Sequence, residues 1–143
     1  MAATLLDEVA AFIDTSSTLF TLGTNLGKQI MLDSLTVPNT FTSLYETAGL
    51  EGAQAFSTAS NQSERVFDRP GLQVLNRSTS YATARARAQT IYDLLDGMAN
   101  RYLPTSTGTL YVSISSVQAP FSMGRDANDR WLVGCNYRVE RDR

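Results

Sequence analysis

The sequence predicts an α+β fold with a mostly antiparallel sheet and helices packed on one face. Three observations carry that reading. Tyr81, Ala84, Ala88, Ile91, Leu95, Met98 and Tyr102 follow one another at spacings of three and four, the period of a helix with one apolar stripe. Residues 110–115 and 131–139 alternate strictly, as in strands with one buried and one wet or interfacial face. A shorter helical stripe, Leu5, Leu6, Val9, Phe12 and Ile13, opens the chain.

Taken in order, the first helix is expected over about 4–14. Thr4 is its N-cap, and Asp7 and Glu8 lie in the first turn, where the helix dipole favours negative charge. Residues 28–32 read as a short strand and Pro38-Asn39 as a turn. Residues 41–47, aromatic and β-branched, read as a second strand closed by Gly49. Residues 51–64 are polar, lack a sustained period and have Phe56 as their one large apolar side chain, so they are expected to form a long mobile loop. A strand over 72–77 follows Pro70-Gly71. Ser78-Thr79-Ser80 supplies caps for a helix over about 81–99, with Pro104 just past its end. The last third reads as a hairpin. Leu110, Val112 and Ile114 point one way and Tyr111, Ser113 and Ser115 the other. In the partner strand Trp131, Val133, Cys135, Tyr137 and Val139 share the core face, opposite Arg130, Asn136, Arg138 and Glu140. The connection 120–129 is longer than a tight hairpin needs.

With 143 residues, the chain is read as a single domain over 1–143. A chain of that size buries roughly two thirds of its unfolded surface and folds without disulfides or metals. No apolar run reaches the roughly twenty residues that span a bilayer, and the start of the chain lacks a basic leader, so no membrane partner and no secretory signal are expected.

Several chemistries are disfavoured. No histidine is present, which removes the commonest general base and metal ligand. Cys135 is the sole cysteine and is expected to pack as a small apolar core residue. Residues 22–29 look faintly phosphate-binding, but their glycine spacing is wrong and Gln29 stands where Ser or Thr is needed, so they read as a turn between helix and strand. Asp93 with Asp96 reads as a solvated helix face, and Asp126 with Asp129 as turn residues with too few ligands around them for a metal. The residue chemistry therefore points to no enzyme, no cofactor and no metal site. Twelve basic side chains against fourteen acidic ones give a net charge of −2, too balanced for a dedicated duplex-DNA binder. Eleven of the twelve are arginine, a weak sign of protein–protein contact. Arg85 and Arg87 flank the helix stripe and read as solvated or subunit-facing.

The strongest candidate surface is the connection 120–129, where Phe121 and Met123 stand beside Arg125 and Asp126. Apolar anchors ringed by charge suit an interface. Both charges are expected to be removable without disturbing the fold. Arg130, Arg138 and Phe56 complete the set of interface candidates.

Leu44-Tyr45-Glu46-Thr47-Ala48-Gly49, Arg69-Pro70-Gly71-Leu72-Gln73-Val74, the stretch from Tyr81 to Asp93, Ser122-Met123-Gly124-Arg125-Asp126 and Tyr137-Arg138-Val139 stand in an order and spacing that resembles the tail-terminator or minor-capsid (head–tail joining) proteins of tailed bacteriophages. The resemblance implies a tail-terminator-like domain and a virion protein of the tail or neck, assembled in the host cytoplasm. It implies a ring of six copies at the head-proximal end of the tail. The ring would end tube growth and join the tail to the head connector. Implied partners are other copies of the chain, the tail tube protein and head-connector proteins. Genome DNA would pass through without sequence-specific binding. The alternative within the same neck is a head-completion protein, a stopper or adaptor.

Overall fold

A computed structural model describes residues 3–31, 38–56 and 63–142, with the side chains of 53–56 and 63–66 excepted. The described residues are mostly β, with two helices. The order is α1 (Leu5–Ser16), β1 (Leu26–Lys28), β2 (Phe41–Phe56), β3 (Ser63–Ser78), α2 (Tyr81–Leu95), β4 (Met98–Leu103), β5 (Thr109–Ser116), β6 (Phe121–Arg125) and β7 (Trp131–Asp142). The sheet runs β1-β2-β3-β7-β5-β4, with β6 also paired to β7. Only β1 with β2 is parallel, so the sheet is mixed.

α1 begins where the sequence indicates. Thr4 and Asp7 form a reciprocal capping box that satisfies otherwise orphaned amides. Ser80 caps α2, and Ala84, Ala88, Ile91 and Leu95 are its buried apolar positions. α1 contributes Leu5, Leu6, Val9, Ala10, Phe12 and Ile13 to a core completed by sheet residues such as Leu44, Leu72, Val74, Cys135, Tyr137 and Val139. Cys135 packs there as expected, and burial pushes its thiol pKa up. The turn at 21–25 joins α1 to β1, as read for the glycine-containing segment.

Four expectations are corrected. The first strand lies at Leu26–Lys28, upstream of 28–32, and Leu32 falls outside the described residues. The expected loop 51–64 is largely strand. β2 continues through Gly49 to Phe56, β3 starts at Ser63, and the two are paired from Phe41↔Arg77 to Phe56↔Ser63. Residues 57–62, and the mobility expected there, lie outside the described residues. Polar composition hid this hairpin, because a hairpin pairs its backbone without needing a buried face. Its glycines mark closeness rather than an end: a Cβ on Gly49 would fall 1.9 Å from the Arg69 carbonyl. Third, α2 stops at Leu95. Gly97 takes φ +80 and donates its amide to Ile114, and the Asp96 carboxylate accepts the Ser116 amide at 2.8 Å. Met98 and Tyr102 continue the helical spacing by coincidence and belong to β4. Fourth, a register shift between Tyr111 and Ser113 turns Tyr111 into the core beside Ile114.

Three arginines are interior, Arg77, Arg87 and Arg130, whereas Arg87 was expected to be solvated or subunit-facing and Arg130 to lie opposite the core face. Arg87 of α2 gives Nε and Nη2 to Thr42 Oγ1 at 3.2 and 2.9 Å. It gives Nη1 to the Leu19 carbonyl at 3.0 Å and Nη2 to that of Asn25 at 3.3 Å, and stacks 4.4 Å from the centroid of the Phe20 ring. The Thr42 hydroxyl in turn donates to Asn76 Oδ1 at 2.7 Å, and Asn76 Nδ2 donates to the Val133 carbonyl at 3.4 Å. Burial lowers the Arg87 pKa to about 10, so the group stays charged at neutral pH. Arg87→Met should cost about 2–3 kcal/mol, because the polar atoms around it lose a charged donor in a dry setting. Arg87→Lys should recover only part, since an ammonium cannot reproduce the fork. Urea midpoints of the three proteins check this; a midpoint unchanged in Arg87→Met would show that the network contributes nothing.

Candidate functional site

The candidate interface is built on β6 and the turn that follows it. The expected long connection contains a strand of its own, with Phe121↔Gly134 and Ser122↔Val133 paired to the first half of β7. Pairing partners share a face of the sheet. Phe121 therefore stands on the face opposite Val133 and the helix-covered core. Met123 lies across Gly134 on that same outer face and is 44% exposed. Arg125 is exposed, stacks 4.3 Å from the centroid of the Trp131 ring and pairs with Asp129 at 3.0 Å. Trp131 in turn meets Tyr81 of α2 edge-on, at 5.4 Å between centroids. Phe121 and Met123 thus share the outer face of β6, while Arg125, paired with Trp131 beyond a register shift, stands on the helix side of the same strand.

Asp126 and Arg130 play a different part from the one expected. Arg130 is 1% exposed, and its Nε donates to Asp126 at 2.8 Å. Asp126 also accepts the amides of Asn128 and Arg130, both at 2.9 Å, and its own amide reaches the Arg130 carbonyl. This carboxylate closes the β6–β7 turn, so its removal should cost stability, where the sequence reading expected none. Alternation along β7 suggested an outward Arg130, but the turn residues ahead of the strand draw it in.

Arg138 is exposed on the outer face, opposite Ser115 and Gly71. It lines a groove of about 540 Å³ together with Leu50, Arg69, Val117, Asn136 and Glu140. Arg69 and Glu140 approach to 3.6 Å across it. A smaller groove of about 310 Å³ includes Glu46, Asp68, Arg69 and Arg141. Phe56 ends β2, opposite Ser63, and its side chain lies outside the described residues. Arg138 therefore does not join the β6 cluster. Sequence reasoning missed Leu50 and Tyr102, exposed at 59% and 49% on β2 and β4. The polar stretch concealed the first, and the false helical period concealed the second.

Among the described residues no cluster of three or more Cys, Asp or Glu side chains could hold a metal ion, and no helix is long and apolar enough to cross a membrane. Glu8, buried in α1, pairs with Arg141 at 2.9 Å and accepts the Tyr111 hydroxyl at 2.9 Å. Burial, then the nearby Glu8 charge, pushes the Tyr111 hydroxyl pKa up, so the hydroxyl keeps its proton, and the cluster ties α1 to β5 and β7.

A family model described as bacteriophage tail terminator protein matches residues 37–143. Three chains of solved structures match. One belongs to a structure titled virion of native gene transfer agent (GTA) particle. It is 16% identical, with 94% of this chain and 84% of that chain covered at a TM-score of 0.52. No curated protein sequence matches.

The Asp126 turn makes stability depend on pH with a definite sign. Burial raises the Asp126 pKa, but the hydrogen bonds from Arg130 and Asn128 outweigh it and the net shift is downward. A folded-state pKa below the unfolded one gives stability that is present above the ordinary carboxylate range and lost as pH falls through the folded value. Asp126→Asn should therefore be less stable than the parent at pH 7, by about 1–3 kcal/mol. The gap should narrow at pH 3. Denaturant midpoints at both pH values test it; a gap that does not change with pH would contradict the assignment.

Proposed function

The chain belongs to the bacteriophage tail terminator family, and from that premise we propose that it is a structural virion protein forming a ring of six copies at the head-proximal end of the tail. The family match over 37–143, which takes in β2 through β7 and α2, carries the reading. In this role the ring ends growth of the tail tube and offers a surface to the head connector. The work is done by shape and contact, without a catalytic group.

The β6 surface suits that task. Phe121 and Met123 give apolar area on the outer face, Arg125 gives a charge oriented by Trp131 at the strand's other face, and Asp126 ties the neighbouring turn with several hydrogen bonds. An interface anchor that is pre-ordered loses little entropy on binding. Each copy carries a net charge of −2, so six copies repel rather than grip a passing phosphate backbone, as befits a conduit for genome DNA. Assembly in the host cytoplasm and a place in the tail or neck of the virion belong to the same proposal.

Native mass spectrometry of the purified chain and copy counting in assembled particles test the ring. Six copies at the tail end support it. A different number, located at the head connector, would move the protein to a head-completion role. Met123→Glu with Arg125→Glu tests the surface. The fold should lose no more than about 1 kcal/mol, the scale of an exposed cation–π contact and surface substitutions. The yield of complete particles should fall about tenfold or more, as expected for anchors at an interface centre. Parent-level yield from the double variant would exclude β6 as a partner surface.

A further inference from the structure

The sheet has two open margins of unlike character. β1 covers the outer edge of β2 only at positions 42–44. From Glu46 to Phe56 that edge has no strand partner among the described residues. At the other margin β4 is paired to β5 alone. The half of the sheet away from β6 is therefore a five-stranded layer, β2-β3-β7-β5-β4. Open edges attract further strands, and proteins usually guard them with lysine or proline. Neither residue type occurs in β4 or between 46 and 56 of β2.

The margins differ in chemistry. β2 carries exposed Glu46 and Glu51 with exposed Leu50. β4 carries exposed Arg101 and Tyr102. Like margins would bring Glu against Glu or Arg against Arg, while unlike margins bring opposite charges and one apolar side chain from each copy together. Local geometry limits where contact falls. Asn100 has φ +50 in the middle of β4, and the β2–β3 register shifts between Thr47 and Leu50. Contact thus centres on Arg101 and Tyr102 of β4 and on Glu46 to Leu50 of β2. The direction follows from the topology. Every neighbour in the five-stranded layer is antiparallel, so β2 and β4 run the same way. Copies related by a rotation about an axis along the strands would join these margins as a parallel pair. Joining two different patches is what a closed ring requires.

We propose that the outer edge of β4 in one copy pairs, in parallel, with the open edge of β2 in the next, extending the sheet from copy to copy. This rests on the ring reading given above. The test places cysteines on both margins in one chain, Tyr102→Cys with Leu50→Cys and Tyr102→Cys with Glu46→Cys. The native Cys135 is buried and replaced by alanine throughout. Oxidised samples of the purified chain and of assembled particles are run without reductant. A ladder of cross-linked copies is expected from at least one double variant, and none from the single variants. Charge reversal gives an independent arm. Arg101→Glu alone, or Glu46→Arg with Glu51→Arg, should lower assembly about tenfold or more, and the three changes together should restore it. Circular dichroism and urea midpoints of each variant identify those that merely fail to fold. Particles that hold the parental number of copies, yet give no ladder and no rescue, overturn the edge pairing and leave the ring intact. A chain that forms no closed oligomer alone or in particles overturns the ring, and the pairing with it.

Discussion

The guanidinium of Arg87 is the point on which the layers of this protein depend. It leaves α2, crosses the space between helix and sheet, and binds the chain at Leu19, Asn25 and Thr42. Those positions lie in the α1–β1 connection and at the start of β2. Through Thr42 and Asn76 the same line of hydrogen bonds reaches β7. A purely apolar contact would leave these segments free to slide. Directional bonds from one planar group fix which turn of α2 lies over which row of the sheet. The ring of Phe20 covers the guanidinium, so the bonds operate in a dry setting, where they are stronger than in water.

Polar interactions inside the molecule are concentrated in a few such clusters. Arg77 of β3 donates to the carbonyls of Pro38 and Asn39 just ahead of β2. Glu8, Tyr111 and Arg141 tie α1 to β5 and β7. Arg130 and Asp126 close the β6 turn. Each cluster sits where a connection or a helix meets the sheet, which is where backbone groups lack ladder partners. Arginine suits that work because one side chain satisfies several acceptors. The outer face of the sheet is left to exposed residues such as Met123, Leu50 and Arg138, which have few ties within the chain and are available to partners.

Elements with a strong local signal were legible in the sequence. The N-cap at Thr4, the alanine-lined face of α2 and the alternation of β7 all appear where they were read, because each depends on neighbours three, four or two positions away. The positions of the candidate interface residues were legible only in part. Phe121, Met123 and Arg125 do share a strand, but Asp126 and Arg130 turned out to be each other's partners. No rule of spacing distinguishes an aspartate that closes a turn from one that faces a neighbour. The β2–β3 hairpin and β4 were not legible. A two-stranded ribbon needs no apolar face, and the period of α2 runs on into β4 although Gly97 has already ended the helix. The core role of Tyr111 depended on a register shift that only strand pairing creates.

β7 is the last strand in chain order and the central strand of the sheet. It takes β3 along one edge and both β5 and β6 along the other. During synthesis, β3 and β5 must therefore wait with unfilled edges until the final strand arrives between them. Contacts of such long sequence separation slow folding, and the waiting intermediates are open to pairing with one another. Arg141, which also anchors α1 through Glu8, arrives with this strand. Completion of the sheet and docking of the first helix thus coincide. The outer face of the sheet is therefore finished only once β7 has been inserted between β3 and β5.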